Sequence, residues 1–226
     1  MPKILVVIPA FNEQATLLSV LSDVLKNIPA DVLVVNDGSS DSTKDIALKN
    51  NVFVVSHVAN RGLGAALGTG FEFARKRDYD ILVTFDADGQ HTSKDALKLI
   101  RTIDKGRADV AIGSRLLTKT AMPLDRKVLN YLSDLLTYIF YGVWTTDSQS
   151  GLRAFNKEAI SEIKIMTDRM EVSSEFFREI KRNHLTFKEV AIQAIYTDYS
   201  LSKGQDKKGN WNALSIGVKM LLRLFS

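Results

Sequence analysis

The 226-residue chain has no cysteine, which rules out a disulfide framework and any thiolate-ligated metal. A reducing cytoplasm is a suitable setting for such a chain. No apolar run approaches the ~20 residues needed to cross a bilayer. The apolar stretch near the amino end, Ile4 to Pro9, is too short for the core of a secretory signal and has the pattern of a strand. There are no internal repeats, low-complexity segments or convincing linkers, and no P-loop G-K-[ST]. What is present is the composition of an ordinary soluble globular protein, 45% hydrophobic and 25% charged. That length fits one domain, or one domain with an elaborated end, and allows a substantial core to be buried.

The formal net charge is +4, and it is unevenly placed. From Tyr199 onward five basic residues (Lys203, Lys207, Lys208, Lys219, Arg223) face one acidic residue, Asp206, so the first 198 residues balance to zero. A basic end on a neutral body suggests an anionic partner such as lipid headgroups, a phosphate or nucleic acid; the bland alternative is a solvated tail.

The first half alternates between apolar runs and amphipathic stretches. KILVVIP, DVLVVN, NVFVVSHV, DILVTF and ADVAIGS read as strands. Between them lie helical patterns: Ala15 to Asn27, with Leu17, Leu18, Leu21, Val24 and Leu25 on one face, a helix to about Asn50, a small-residue helix after Asn60, and Ser93 to Lys105. Continuous apolar strands separated by helices indicate a mostly parallel sheet covered on both faces. The second half is less regular. It predicts a long helix from Arg126 to Trp144, a short one from Ser174 to Asn183, and an antiparallel or edge strand in FKEVAIQAI. An amphipathic helix closes the chain, with Trp211, Leu214, Val218, Leu221, Leu222 and Phe225 in one stripe. Both that stripe and the aromatic-rich Val128 to Trp144 suit either a bilayer interface or the protein's own core.

In open α/β sheets the ligand lies beyond the carboxyl ends of the strands. Three inferred strand ends carry suitable residues: Pro9-Ala10-Phe11-Asn12-Glu13, Asn36-Asp37-Gly38-Ser39, and Asp86-Ala87-Asp88-Gly89-Gln90-His91. Turn preferences alone account for Ser39, Ser40 and Asp41. They account poorly for Asp86 and Asp88, two carboxylates one residue apart after a buried strand. Such a pair is costly unless a cation or hydrogen-bond donors lie between them. An oxygen-rich D-x-D-x-Q pattern suits a hard cation, Mg²⁺ or Mn²⁺, with positions left for phosphate oxygens. Gly62, Gly64 and Gly68 miss the dinucleotide spacing by one residue and follow the third strand, so they read as close packing and a loop.

Taken together, VVIPAFNE, VVNDGSSDST, NRGLGAALGTGF, FDADGQH, IGSR and DSQSGLRAF resemble glycosyltransferase family 2 in content and order. The likeness covers roughly residues 3 to 205 and is strongest to the polyprenyl-phosphate branch, that of dolichyl-phosphate mannosyltransferases and bacterial undecaprenyl-phosphate sugar transferases. It implies an α/β GT-A fold with a nucleotide-sugar half (1–115), a mixed acceptor half (116–205) and the basic amphipathic helix (206–226) in one domain.

The resemblance also implies roles. Pro9, Ala10, Phe11 and Glu13 would flank the nucleotide, with Asp37 accepting from its base or ribose and Asp86 beside it. Asp86, Asp88 and Gln90 would face the metal, and Arg115 would lie by the phosphates unless it is merely a surface arginine. Asp88, Arg115 and Asp147 form the expected catalytic set. Asp147 would be general base toward a sugar hydroxyl, or a positioning group toward a lipid phosphate. Arg126, Asn130, Arg153 and Lys203 would meet the acceptor. The chain departs from the mannosyltransferase pattern at Asn130, where that branch has serine. It departs again at Tyr199-Ser200-Leu201-Ser202-Lys203, which keeps the lysine and lacks the arginine and glycine. Expected partners are a nucleotide sugar, a polyprenyl phosphate, and the inner membrane face or a small membrane protein, with no nucleic acid and self-association left open. The rivals are transfer to a saccharide hydroxyl, a non-catalytic nucleotide-binding scaffold and, last, a nicotinamide oxidoreductase.

Overall fold

A computed structural model describes residues 1–118, 124–169, 171–193 and 195. The expected C-terminal amphipathic helix and Lys203 lie outside the described residues, as does the side chain of Arg126.

Seven strands form one sheet: β1 (Ile4–Ala10), β2 (Asp31–Asn36), β3 (Phe53–Ser56), β4 (Ile81–Thr84), β5 (Val110–Ser114), β6 (Arg153–Asn156) and β7 (Phe187–Ala191). Their spatial order is β3-β2-β1-β4-β6-β5-β7. All neighbours are parallel except at β6, which runs antiparallel to both β4 and β5. The strand at Phe187 takes the edge, as its alternation suggests, but it is parallel to β5. β6 is short and sits in a stretch whose sequence shows little strand pattern, so periodicity alone misses it.

Successive side chains of a strand point to opposite faces, and the apolar runs therefore feed two cores. Val6, Ile8, Val34 and Val83 pack on one face with α1 (Leu17–Asn27) and α4 (Ser93–Asp104). Leu5, Val7, Val35 and Leu82 pack on the other with α3 (Leu63–Lys76), α6 (Lys157–Glu162) and α7 (Val172–Arg182). In α1 the buried stripe is Leu17, Val20, Leu21 and Val24, while Leu18 and Leu25 point to solvent. The remaining helices are α2 (Thr43–Leu48) and α5 (Leu124–Tyr141). Among the described residues no helix is long and apolar enough to cross a membrane.

Two of the glycines before and in α3 have a steric reason. A Cβ at Gly62 or Gly64 would collide with the backbone of Thr167 and Asp168, and Gly62 also has φ +108°. Those glycines let α3 begin against the 164–168 segment, which Glu175 and Glu179 hold by their carboxylates.

Candidate active site

The strand order changes direction at β1: β2 lies on one side and β4 on the other. Loops leaving the two sides diverge there and leave a crevice. It is a cavity of about 490 Å³ at the carboxyl ends of β1, β2 and β4. Its wall includes Pro9, Ala10, Phe11 and Glu13 after β1, Asp37 after β2, and Asp86 and Asp88 after β4. Because β6 is antiparallel, its first residue, Arg153, arrives at this same end opposite Thr84, and Gln149 and Gly151 come with it.

The β1 and β2 loops are tied together by short polar bonds. Asn12 N donates to Ser39 Oγ at 3.0 Å, Glu13 N to Thr43 Oγ1 at 2.8 Å, and Ser40 N to Asn12 Oδ1 at 2.9 Å. The serines and Asp41 thus hold loops as turn chemistry suggests. Asp37 is buried and does more. It accepts from Arg61 N (3.0 Å) and Gly62 N (2.7 Å), and pairs with His57 Nδ1 at 2.7 Å. His57 Nε2 continues to Thr69 Oγ1 at 2.9 Å, so Asp37 couples the cavity wall to α3. His57, read only as part of the third strand, carries no signal of this role, whereas Asn60 and Gly62 belong to the NRGLGAALGTGF stretch.

The paired aspartates sit side by side with contrasting environments. Asp86 Oδ2 lies 2.9 Å from Nε2 of buried His91, whose Nδ1 has no partner among the described residues. Burial opposes ionisation of Asp86, but the His91 hydrogen bond and the charges of His91, Arg115 and Arg153 outweigh it and hold its carboxyl below the usual range. Burial, then the neighbouring Asp86 charge, push Asp88 up to about 6. Two oxygen-donor side chains whose mutual repulsion raises one pKa fit a hard divalent cation. Among the described residues no cluster of three or more His, Asp or Glu offers a complete cage. Gln90 is not among the residues lining this cavity. Its N–H donates to Asp88 Oδ1 at 3.0 Å and its carbonyl accepts from Ile195 N at 3.0 Å.

Gly151 is needed beside Asp86, because a Cβ there would overlap the Asp86 carboxylate. Next to it Arg153 is almost wholly buried, with its guanidinium 4.6 Å from the Phe176 ring centre. One Nη donates to Ser148 O at 2.8 Å and Nε has no partner. Burial lowers its pKa to about 10 against the opposing pull of Asp86 and Asp147, so it remains a cation at neutral pH.

Arg115, Asp147 and Asn130 converge behind this wall rather than on it. Asp147 is fully buried. It accepts from Arg115 N (3.0 Å), Nε (2.7 Å) and an Nη (2.7 Å), and from Asn130 Nδ2 (3.0 Å). Its loop is braced from both sides: Ser148 N donates to Asp134 Oδ1 at 2.8 Å, and Thr146 N to Glu189 Oε1 at 2.7 Å. Both oxygens of Asp147 are therefore engaged, and Asn130 is one of the donors that engage them. Sequence reasoning missed Asp134 and Glu189, which are linked to this loop only through the fold.

A doubly covered, mostly parallel sheet with an acidic crevice at its switch point defines an α/β protein that binds its ligand beyond the carboxyl ends of the strands. The family model described as glycosyl transferase family 2 matches residues 5–164, and the chain belongs to that family. A UDP-N-acetylglucosamine–dolichyl-phosphate N-acetylglucosaminyltransferase of Methanococcus voltae is 34% identical over 98% of this chain and 94% of its own length. A polyprenol monophosphomannose synthase of Mycolicibacterium smegmatis is 35% identical over 71% of this chain and 64% of its own. Among solved structures, glucosyl-3-phosphoglycerate synthase of Mycobacterium tuberculosis with Mn²⁺, UDP-glucose and glycerol 3-phosphate aligns at TM-score 0.74. At 19% identity, covering 97% of this chain and 80% of that one, it shows the shared fold.

Proposed function

We propose that this glycosyltransferase moves a sugar from a nucleotide sugar to a polyprenyl phosphate at the cytoplasmic face of a membrane. Mg²⁺ or Mn²⁺ would be held by Asp86 and Asp88. The observation that carries the choice of acceptor is the state of Asp147. A sugar hydroxyl must lose a proton as it attacks, yet the expected base is buried with every oxygen bonded. A phosphate monoester is already ionised at pH 7 and needs positive charge instead. Arg153 opens on the cavity as a buried cation with an unused N–H, and Arg115 lies close enough to act on the Asp86 charge. The dolichyl-phosphate and polyprenol relatives support the same class of acceptor.

In this reading Pro9, Ala10, Phe11 and Glu13 flank the nucleoside, and Asp37 fixes the 60–62 loop that closes on it. A divalent cation at the two carboxylates would stabilise the charge gathering on the departing nucleoside diphosphate. Arg153 orients the acceptor phosphate for in-line attack at the anomeric carbon, with inversion. Asp147 holds Arg115 as a fixed charge, and Asn130 holds Asp147.

The test is an acceptor swap. Given one nucleotide sugar with Mn²⁺ or Mg²⁺, the protein should glycosylate a polyprenyl phosphate and leave the matching polyprenol untouched. Comparable transfer to the polyprenol or to a saccharide hydroxyl would move the assignment to hydroxyl acceptors.

A further inference from the structure

Helix α5 is inside out. Among its described side chains the buried ones are polar: Asn130, Asp134 and Thr137, spaced so that they share one face. Its outward face is apolar, with Val128 67%, Tyr131 62% and Ile139 62% exposed, and Leu132 and Tyr138 exposed between them. Trp144, 54% exposed, extends the patch, its ring edge-on to Tyr138 at 5.6 Å. A helix that packs on an aqueous globular core shows the reverse arrangement. The patch, on the order of 600 Å², stands at the upper end of what monomers leave open to water.

The polar inner face has a structural reason. Asn130 bonds Asp147, and Asp134 takes Ser148 N, so α5 anchors the loop that leads to Gln149 and Gly151 on the cavity wall. Those bonds fix which way the helix faces, and the apolar side must look outward. Among the described side chains of α5, the exposed charge is positive, Lys127, while Asp134 is buried. Aliphatic residues, tyrosines and a tryptophan beside a lysine match the interface of an anionic bilayer, where the rings sit at headgroup depth.

We propose that the outward face of α5, with Trp144, docks on an anionic lipid surface and seats the cavity at the membrane. The inference extends the polyprenyl-phosphate reading, in which the acceptor's tail stays in the bilayer while its phosphate reaches Arg153. The test uses the full chain carrying Trp211→Phe, which leaves Trp144 as the sole tryptophan. Vesicles of equal phosphatidylcholine and phosphatidylglycerol, free of polyprenyl phosphate and nucleotide sugar, are added at low salt. Trp144 emission should shift to the blue and be quenched by lipids brominated along the acyl chain. Adding Ile139→Asp should raise the lipid concentration for half-maximal shift at least tenfold, with nucleotide binding retained as evidence of folding. The Trp144 readout needs no such variant, so a misfolded Ile139→Asp leaves the test standing.

An unchanged emission spectrum at millimolar lipid overturns the proposal, even if the protein sediments with vesicles through another segment. So does emission already blue without lipid in a protein that sediments as a dimer, which would make the face a contact between copies. Because the vesicles lack the acceptor, failure here leaves the acceptor assignment intact. Failure of the acceptor swap, conversely, leaves the docking result intact.

Discussion

Replacing Asp147 by alanine should reveal what that carboxylate does. It is fully buried and accepts four hydrogen bonds, three from Arg115 and one from Asn130. Removing one partner of a buried ion pair costs roughly 3–5 kcal/mol, because the other charge remains in place without compensation. The Arg115 side chain is 14% exposed, so water reaches part of it and the lower end applies, about 3 kcal/mol. With a denaturant slope near 3 kcal/mol/M, the urea midpoint should fall by about 1 M. Arg115→Ala in the same background should cost much less than its effect in the wild type, since the two residues share one network. Transfer should drop in Asp147→Ala by a factor that is the same at every pH, because a brace does not titrate into its role. A loss of stability below about 1 kcal/mol, combined with a rate that recovers at high pH, would refute the brace and restore Asp147 as a general base.

Three further outcomes are expected. Asp37→Ala should weaken nucleoside diphosphate affinity by ~1–3 kcal/mol in calorimetry, through loss of the Arg61 and Gly62 N–H anchors; unchanged affinity would reduce Asp37 to a turn former. Gly151→Ala should displace the Asp86 carboxylate, abolishing metal-dependent nucleotide binding while costing about 1–3 kcal/mol of stability; an unaltered metal response would show that Asp86 is not held there. Burial raises Asp134 to about 6 against the Ser148 hydrogen bonds, helped by the Asp147 and Glu189 charges. The folded protein then holds a proton that the unfolded chain, near 3.8, has released, so stability falls as pH rises from about 4 to 6. Asp134→Asn should flatten that slope in urea unfolding across the same window, and an unchanged slope would contradict it.

Much of the donor half can be read from the chain because its signals are local. An apolar run that ends in Asp37, or in Asp86 and Asp88, marks both a buried strand and the polar residues at its end. The converging half cannot be read this way. Arg115, Asn130, Asp147 and Glu189 lie far apart in sequence and meet only because β6 inserts antiparallel between β4 and β5. β6 itself spans four residues, Arg153–Asn156, too few to show a period. Periodicity also cannot say which stripe of a helix faces inward. In α1 the misjudged residues are Leu18 and Leu25 at the margin of the stripe. In α5 Val128, Tyr131, Leu132, Tyr138 and Ile139 point out, with Leu135, Leu136 and Phe140 half-buried at the margins, because Asn130 and Asp134 claim the inner side. The spacing of Gln90 from two aspartates likewise says nothing of its backbone N–H, which closes the Asp88 turn.

The most direct measurement follows labelled sugar. Purified protein, labelled nucleotide sugar, polyprenyl phosphate and Mn²⁺ or Mg²⁺ are combined, and the mixture is extracted with organic solvent. The label should move into the organic phase as an acid-labile product, vanish from it with excess chelator or in Asp88→Ala, and return for the wild type when the cation is restored. Label that stays in water, or that enters the organic phase regardless of chelator, would contradict a cation-assisted transfer to a lipid phosphate.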